Sequence, residues 1–285
     1  MNRLEHIVTL KNIRQSFGTM EVLKGIDLKV YSGEIFGLLG PSGAGKTTLI
    51  KIVTGQLKPT GGEAEFLGKN TTKLRSADYK RMGMMLDNLG LYERLSCYDN
   101  LQLFAEICGM SRKRIEEVLR GVGLWESRRI AVSGLSKGMR GRLAFARAIL
   151  SEPQMLFLDE PTSGLDPATA EGIHQLILEE KEKGTTIFLT THNMFEAQKL
   201  CDHVALLHEG SIVEYGEPGE ICRRYNHENR LQIRLTNGEK MELINGEASA
   251  RQVMELLQKG EIETIHSTEP NMEMVFMELT GRRLV

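Results

Sequence analysis

The segment Gly40-Pro41-Ser42-Gly43-Ala44-Gly45-Lys46-Thr47 satisfies the pattern G-x-x-x-x-G-K-[ST] at every position, and it narrows the possible folds more than any other stretch of the chain. Such a loop cradles phosphate when a buried strand runs into it and a helix leaves it. Backbone N–H groups and the helix N-terminus then face the anion. Glu34 to Leu39 is a short apolar run of the kind that a buried strand requires, and it ends at the first glycine. In this arrangement Lys46 bridges the β- and γ-phosphates of a nucleotide. The Thr47 hydroxyl ligates Mg2+, and Thr48 reaches the α-phosphate.

A second apolar strand, Met155 to Leu158, ends in Asp159 and Glu160. A strand of this kind delivers its terminal side chains to the carboxyl edge of a sheet, where ligands of α/β folds bind. Asp159 is placed to hold Mg2+ through water, and Glu160 to accept a proton from an attacking water. The rest of the pattern agrees with an α/β core. His6 to Ser16 and Glu21 to Val30 alternate as half-buried strands do. Asp99 to Cys108, Lys113 to Val122, Lys137 to Leu150 and Thr169 to Glu182 read as helices, and Thr186 to Thr190 as another buried strand. Alternation of strand and helix predicts a largely parallel sheet. Val204 to Leu207 and Ser211 to Glu214 form a hairpin around Glu209-Gly210.

Composition changes after about Cys222. A polar stretch, Arg223 to Glu228, precedes two alternating segments, Leu231 to Leu235 and Lys240 to Leu243, joined through Asn237-Gly238, a strong hairpin signal. Helical patterns follow at Ala248 to Gln258 and Asn271 to Leu279. These features put a boundary near residue 225, with a main domain over 1–225 and a small α+β appendage over 226–285. Apolar residues make up 41% and charged residues 26%, and the net charge is -2, so no overall field points to nucleic acid. Arg128, Arg129, Arg140 and Arg142 lack interleaved aromatics and read as a solvated helix face. Trp125 reads as a local packing anchor. Cys97, Cys108, Cys201 and Cys222 form no C-x-x-C pair, which argues against a metal site or a disulfide framework. Met1 to Leu10 has no signal-peptide core. No apolar run approaches the roughly 20 residues of a spanning helix. Action at a membrane therefore needs a partner that crosses it.

Leu135-Ser136-Lys137-Gly138-Met139, followed by Arg140-Gly141-Arg142, resembles the signature L-S-G-G-Q-x-x-R of ATP-binding cassette (ABC) ATPases, departing from it at Lys137 and Met139. The resemblance covers about the first 220 residues. It implies a P-loop NTPase cassette with a mostly parallel core sheet, an antiparallel β edge and a helical subdomain over about 90–150. It also implies ATP and Mg2+ as ligands. The signature residues, Ser136 and Gly138 at a helix start among them, would close over the γ-phosphate held by another subunit. Ser163-Gly164-Leu165-Asp166 resembles the D-loop that communicates between two such sites. His192, after Thr190-Thr191, resembles the switch histidine that contacts the γ-phosphate and orients water. Phe17 resembles the aromatic that stacks on adenine. Met82 to Tyr92 resembles the Q-loop region, and Asn100-Leu101 fits the same pattern. Asp87 stands where the family has the glutamine that contacts the metal.

The resemblance further implies an integral-membrane permease and a second ATPase subunit, identical or not, as partners, with no nucleic acid. The chain would sit at the cytoplasmic face of the membrane through the permease. The tail, Glu269 to Gly281, resembles that of ATPases serving ABC-2 type exporters. The acidic residue at 87 resembles branches that export, or give immunity to, peptide antibiotics. The leading expectation is an ATP-hydrolysing exporter subunit. One alternative is a soluble ABC ATPase acting on DNA or ribosomes, against which stand the single motif set and the short span from Asp87 to Leu135. The other is an ATP-binding regulatory subunit without turnover, against which stand Lys46, Asp159, Glu160 and His192.

Overall fold

The computed structural model describes residues 6–86, 90–227, 229–268 and 270–281. The chain divides into two compact units between Gly216 and Glu217. In the first unit, β1 (His6–Phe17) and β2 (Met20–Tyr31) pair antiparallel, with Phe17 opposite Met20. Both bury alternate residues, such as Val8 and Leu10 on β1 and Ile26, Leu28 and Val30 on β2. The register shifts between Leu10 and Ile13, and Asn12 there has a φ of 48°. This bulge moves the buried face on to Ile13.

Next come β3 (Ile35–Leu39) and α1 (Lys46–Val53), which flank the glycine-rich loop. β4 (Gly61–Phe66) and β5 (Lys69–Asn70) return to extend the first sheet in the order β2-β1-β4-β5. A short α2 (Ser76–Tyr79) leads to β6 (Met82–Met85). Three helices follow: α3 (Cys97–Cys108), α4 (Arg112–Gly121) and α5 (Lys137–Ile149). Each starts at a serine, Ser96, Ser111 or Ser136, whose hydroxyl accepts from the backbone N–H three residues on. The chain then runs through β7 (Met155–Asp159), α6 (Pro167–Glu182), β8 (Thr186–Thr191), α7 (Met194–Leu200), β9 (His203–His208) and β10 (Ser211–Gly216).

The second sheet has the order β10-β9-β3-β8-β7-β6. All its neighbours are parallel except β10 with β9. β3, β7 and β8 are buried at every position, so they read as continuous apolar runs. β6 carried no such signal, being four residues long with three methionines and a glycine exchanged for the usual branched side chains. Gly83 is required there, since a Cβ would lie 2.2 Å from the Ala148 carbonyl oxygen. α5 thus presses directly on the β6 backbone.

Several arginines of the helical region are used within the chain. Arg120 and Arg128 sit over the Trp125 ring, 4.7 and 4.4 Å from its centroid. Arg140 pairs with Glu93 at 3.0 Å, and Arg142 donates to the Val122 carbonyl. All four cysteines are free.

The second unit holds α8 (Pro218–Arg224), β11 (Arg230–Leu235), β12 (Lys240–Ile244), α9 (Glu247–Gln258), β13 (Ile262–Ser267) and α10 (Met272–Thr280). Its antiparallel sheet has the order β12-β11-β13. Ile221, Ile233, Met272, Val275 and Phe276 are buried. The unit begins ahead of the composition change near residue 225 because α8 packs with α10.

Asn100 on α3 is fully buried and fully bonded. It accepts from the Tyr92 backbone N–H at 2.8 Å and donates to the carbonyls of Tyr92, Leu95 and Ser96. Asn100→Ala strands those groups out of water, a loss of about 1–3 kcal/mol for a buried polar partner. A urea melt should show a lower midpoint with an unchanged slope. A native midpoint would mean that water takes the amide's place at no cost.

Candidate functional site

The loop after β3 is shaped by close approaches that glycine alone permits. A Cβ on Gly40 would lie 2.3 Å from the Leu207 carbonyl oxygen. Gly45 has a φ of 111°, in the left-handed region, and begins α1. No side chain caps that helix start, and its first turn holds no acid. Its free N–H groups therefore face an open cavity with nothing of their own charge-neutralising them.

Lys46, the first residue of α1, is 6% exposed. Its ammonium donates to the carbonyls of Gly40 at 2.6 Å and Pro41 at 3.2 Å, and pairs with Glu160 Oε1 at 3.2 Å. Asp159, the last residue of β7, is buried. One of its oxygens accepts from the Thr47 hydroxyl at 2.9 Å and the other from the Thr190 hydroxyl. Glu160 has a φ of 52°. A left-handed backbone costs a non-glycine residue roughly 1–2 kcal/mol. Here it turns the carboxylate back over the cavity, where Oε2 lies 2.6 Å from His192 Nδ1. His192 follows β8 directly and is half exposed.

Pro41, Ser42, Gly43, Gly45, Lys46, Thr47, Thr48, Asp159, Glu160 and His192 line one cavity of about 340 Å³, together with Val22 and Ser163. Gly40 serves through its carbonyl on Lys46, while Ala44 is buried beneath the loop. Val22 carried no sequence signal, being one apolar residue in an alternating strand. Ser163 belongs to the turn after Glu160. Phe17 ends β1, is 52% exposed and does not line this cavity. Asp87 lies outside the described residues.

Leu135, Ser136, Lys137, Gly138 and Met139 also lie outside the cavity lining. Leu135 is buried, and Ser136 accepts from the Met139 N–H at 3.2 Å to cap α5. Lys137 reaches the Gly164 carbonyl at 3.1 Å. A Cβ on Gly138 would meet Thr169 Cγ2 at 2.4 Å. Asp166 caps α6, accepting from Thr169 N at 3.0 Å and from the Thr169 hydroxyl at 2.6 Å. These bonds, the hydroxyl's first, hold its carboxyl below the ordinary aspartate value. The start of α5 is thus in contact with the 164–169 turn, a link between distant stretches that spacing alone does not show.

The cavity offers an anion an uncapped helix start and one ammonium. It offers a cation the oxygens of Thr47 and Asp159. Among the described residues no cluster of three or more His, Cys, Asp or Glu forms a self-sufficient metal cage. Two oxygen donors suit a hard cation that keeps several waters and takes its remaining ligands from bound phosphates.

Comparison with known proteins agrees with this chemistry. A profile of the family described as ABC transporter matches residues 23–163. The chain is 40% identical over 266 residues to a fluoroquinolones export ATP-binding protein of Mycobacterium tuberculosis, covering 92% of this chain and 88% of the relative. It is 38% identical to a bacitracin transport ATP-binding protein of Bacillus licheniformis, over 73% of this chain and 69% of the other. Among solved structures it resembles an ATP-binding cassette in a dimeric post-hydrolysis state bound to ADP and phosphate. That likeness has a TM-score of 0.66 and 28% identity, over 74% of this chain and 98% of the other.

Glu160→Gln keeps the shape of the side chain and removes its carboxylate from the cavity. It should leave ATP binding intact and lower hydrolysis by a factor on the order of 10² or more. A steady-state phosphate-release assay checks this, and a near-native rate would remove Glu160 from proton transfer.

Proposed function

The chain belongs to the ABC transporter family of ATP-binding subunits, and on that premise we propose that it hydrolyses Mg-ATP to drive a separate integral-membrane permease that exports its cargo. The observation that carries the reading is the meeting of Lys46, Glu160 and His192 at one cavity, where Glu160 bonds both of the others. The N–H groups of α1 and the Lys46 ammonium receive the β- and γ-phosphates. A phosphate oxygen then replaces Glu160 as the partner of Lys46. The freed carboxylate, still held by His192, takes a proton from the water whose oxygen bonds to the γ-phosphorus. The bond from that phosphorus to the β-phosphate oxygen breaks, and ADP leaves with the electron pair. Thr47 and Asp159 hold Mg2+, which neutralises charge on the phosphate oxygens when bound.

Two further features support the assembly. Residues 135–139 do not line the cavity of their own chain, so a second ATPase subunit brings its signature helix to this one. The dimeric solved relative favours the same arrangement. Among the described residues no helix is long and apolar enough to cross a membrane. The permease supplies the spanning part and holds the chain peripherally at the cytoplasmic face. The export and transport names of the relatives, with the ABC-2-like tail, favour an ABC-2 type exporter of antibiotic-like cargo. The second unit serves as an accessory domain to the cassette. Phe17 meets the adenine at the rim. Asp87 takes the place of the metal-contacting glutamine.

The test is purification of the tagged chain from membranes with whatever binds it, followed by ATPase and transport assays in proteoliposomes. A membrane protein should copurify, and Lys46→Ala should abolish both activities. Recovery of ribosomes or DNA in place of a membrane protein would overturn the reading. A Mg2+ titration tests Asp87 separately. Asp87→Asn should raise the Mg2+ concentration needed for turnover, and Asp87→Gln should retain activity. Superimposable curves would make Asp87 a spectator.

A further inference from the structure

Away from the cavity, a carboxylate is buried where α6 and α7 meet. Glu196 on α7 is 1% exposed. Its Oε1 accepts from the Thr162 hydroxyl at 2.7 Å and lies 2.9 Å from His174 Nε2 on α6. Thr162 sits in the turn that follows Glu160. On the other side the Glu196 backbone N–H donates to Asn193 Oδ1 at 3.2 Å, and Asn193 is the residue after His192. One residue therefore bonds the turn that carries Glu160, through its carboxylate, and the segment after His192, through its backbone. Neither Glu196 nor His174 lines the nucleotide cavity.

Burial pushes the Glu196 carboxyl up, but the bonds from His174 and Thr162 help to outweigh it and hold the group below the ordinary glutamate value. The bond to Glu196 in turn raises the His174 ring above the ordinary histidine value. Glu171 faces His174 at 3.4 Å and pairs with Lys199. A buried ion pair is an expensive way to join two helices, since apolar side chains of similar volume hold as well or better. What the pair provides here is direction. Within the turn, Ser163 N–H and Leu165 N–H bond back to the carbonyls of Glu160 and Thr162, tying the turn to itself. The Thr162 hydroxyl fastens it to α7. The left-handed backbone of Glu160 needs such fastening, because a strained conformer persists where its surroundings over-determine it.

We propose that Glu196 is a positioning residue for hydrolysis: through Thr162 on one side and Asn193, next to His192, on the other, it sets the contact between Glu160 and His192. The proposal rests on the reading that these two residues act in ATP hydrolysis. Thr162→Val removes the tether and keeps the side-chain shape, Thr162→Ser keeps the hydroxyl, and Glu196→Gln removes the charge. Each is measured in the full chain for ATP affinity, turnover and backbone hydrogen exchange, with Gln175→Ala on α6 as a control.

Thr162→Val and Glu196→Gln should lower turnover about tenfold or more through misplacement of reacting groups, with ATP affinity within about twofold of native. Exchange should quicken in both 160–166 and 190–194 and stay native in 40–48. Thr162→Ser and Gln175→Ala should behave as native. Native turnover in Thr162→Val overturns the proposal, whether or not Glu196→Gln folds. So does a loss of turnover matched by equal loss of ATP affinity and faster exchange in 40–48, which marks general loosening. If Glu160→Gln itself turns over normally, the reading of the catalytic site fails first. If Glu160→Gln is inactive while Thr162→Val is native, the positioning role alone fails.

Discussion

A strand buried on both faces has nowhere to put polar chemistry except at its ends, and that constraint governs the first unit. β3, β7 and β8 are buried throughout. They run parallel, with Leu39 level with Thr191 and Thr190 level with Asp159. Three strand ends therefore arrive at one edge of the sheet. Lys46, Glu160 and His192 each lie just past one of them. Asp159 is the exception that tests the rule, being a carboxylate inside the buried zone. It is tolerated because the Thr47 and Thr190 hydroxyls occupy its two oxygens.

α5 extends this organisation away from the sheet. Its first turn meets the 164–169 segment through Lys137 and Gly138. Near its other end Arg147 donates to the carbonyls of Met84 at 3.5 Å and Gly90 at 2.5 Å, on either side of residues 87–89. The same guanidinium sits 4.9 Å from the Phe104 ring centroid, and burial pushes its pKa below the ordinary arginine value. Gly90 has a φ of 58°, in the left-handed region that favours glycine. One helix, roughly 20 Å long at 1.5 Å per residue, thus connects the 164–169 segment to the chain on both sides of residues 87–89.

Much of this was legible in the residues. Local signals marked the glycine-rich loop, the acidic strand end and the serine-capped α5, because each is written in consecutive positions. The α/β core followed from continuous apolar runs, and the hairpin at Asn237-Gly238 from turn chemistry. The parts that were not legible depend on distant residues or weak propensity. β6 lacks the branched composition that marks a strand and β13 a clean apolar alternation, and the neighbours that pair with them supply the order. Val22 joins the cavity through the pairing of β2 rather than through its own chemistry. His174 and Glu196 look like ordinary polar residues on two solvated helices. Nothing in their spacing shows that they meet at 2.9 Å in the interior. Asn100 fits a sequence pattern, but its role in satisfying four backbone groups is a fact of packing.

The pairing of β3 with β8 also bears on how the chain is made. Ile35 finds its partner at Ile187, and Phe36 its other neighbour at His203. During synthesis the central strand leaves the ribosome long before either flank exists. At about 5–20 residues per second the interval is on the order of 10–30 s. Through that time an entirely apolar strand has no native edge to join, and its long-range contacts make closure of the sheet slow. The antiparallel β1–β2 hairpin, complete by Tyr31, is the sequence-local structure available to shelter it. Biogenesis of this protein therefore falls within the window in which nascent-chain chaperones act, and changes that weaken the early hairpin should lower yield more than they lower the stability of the finished fold.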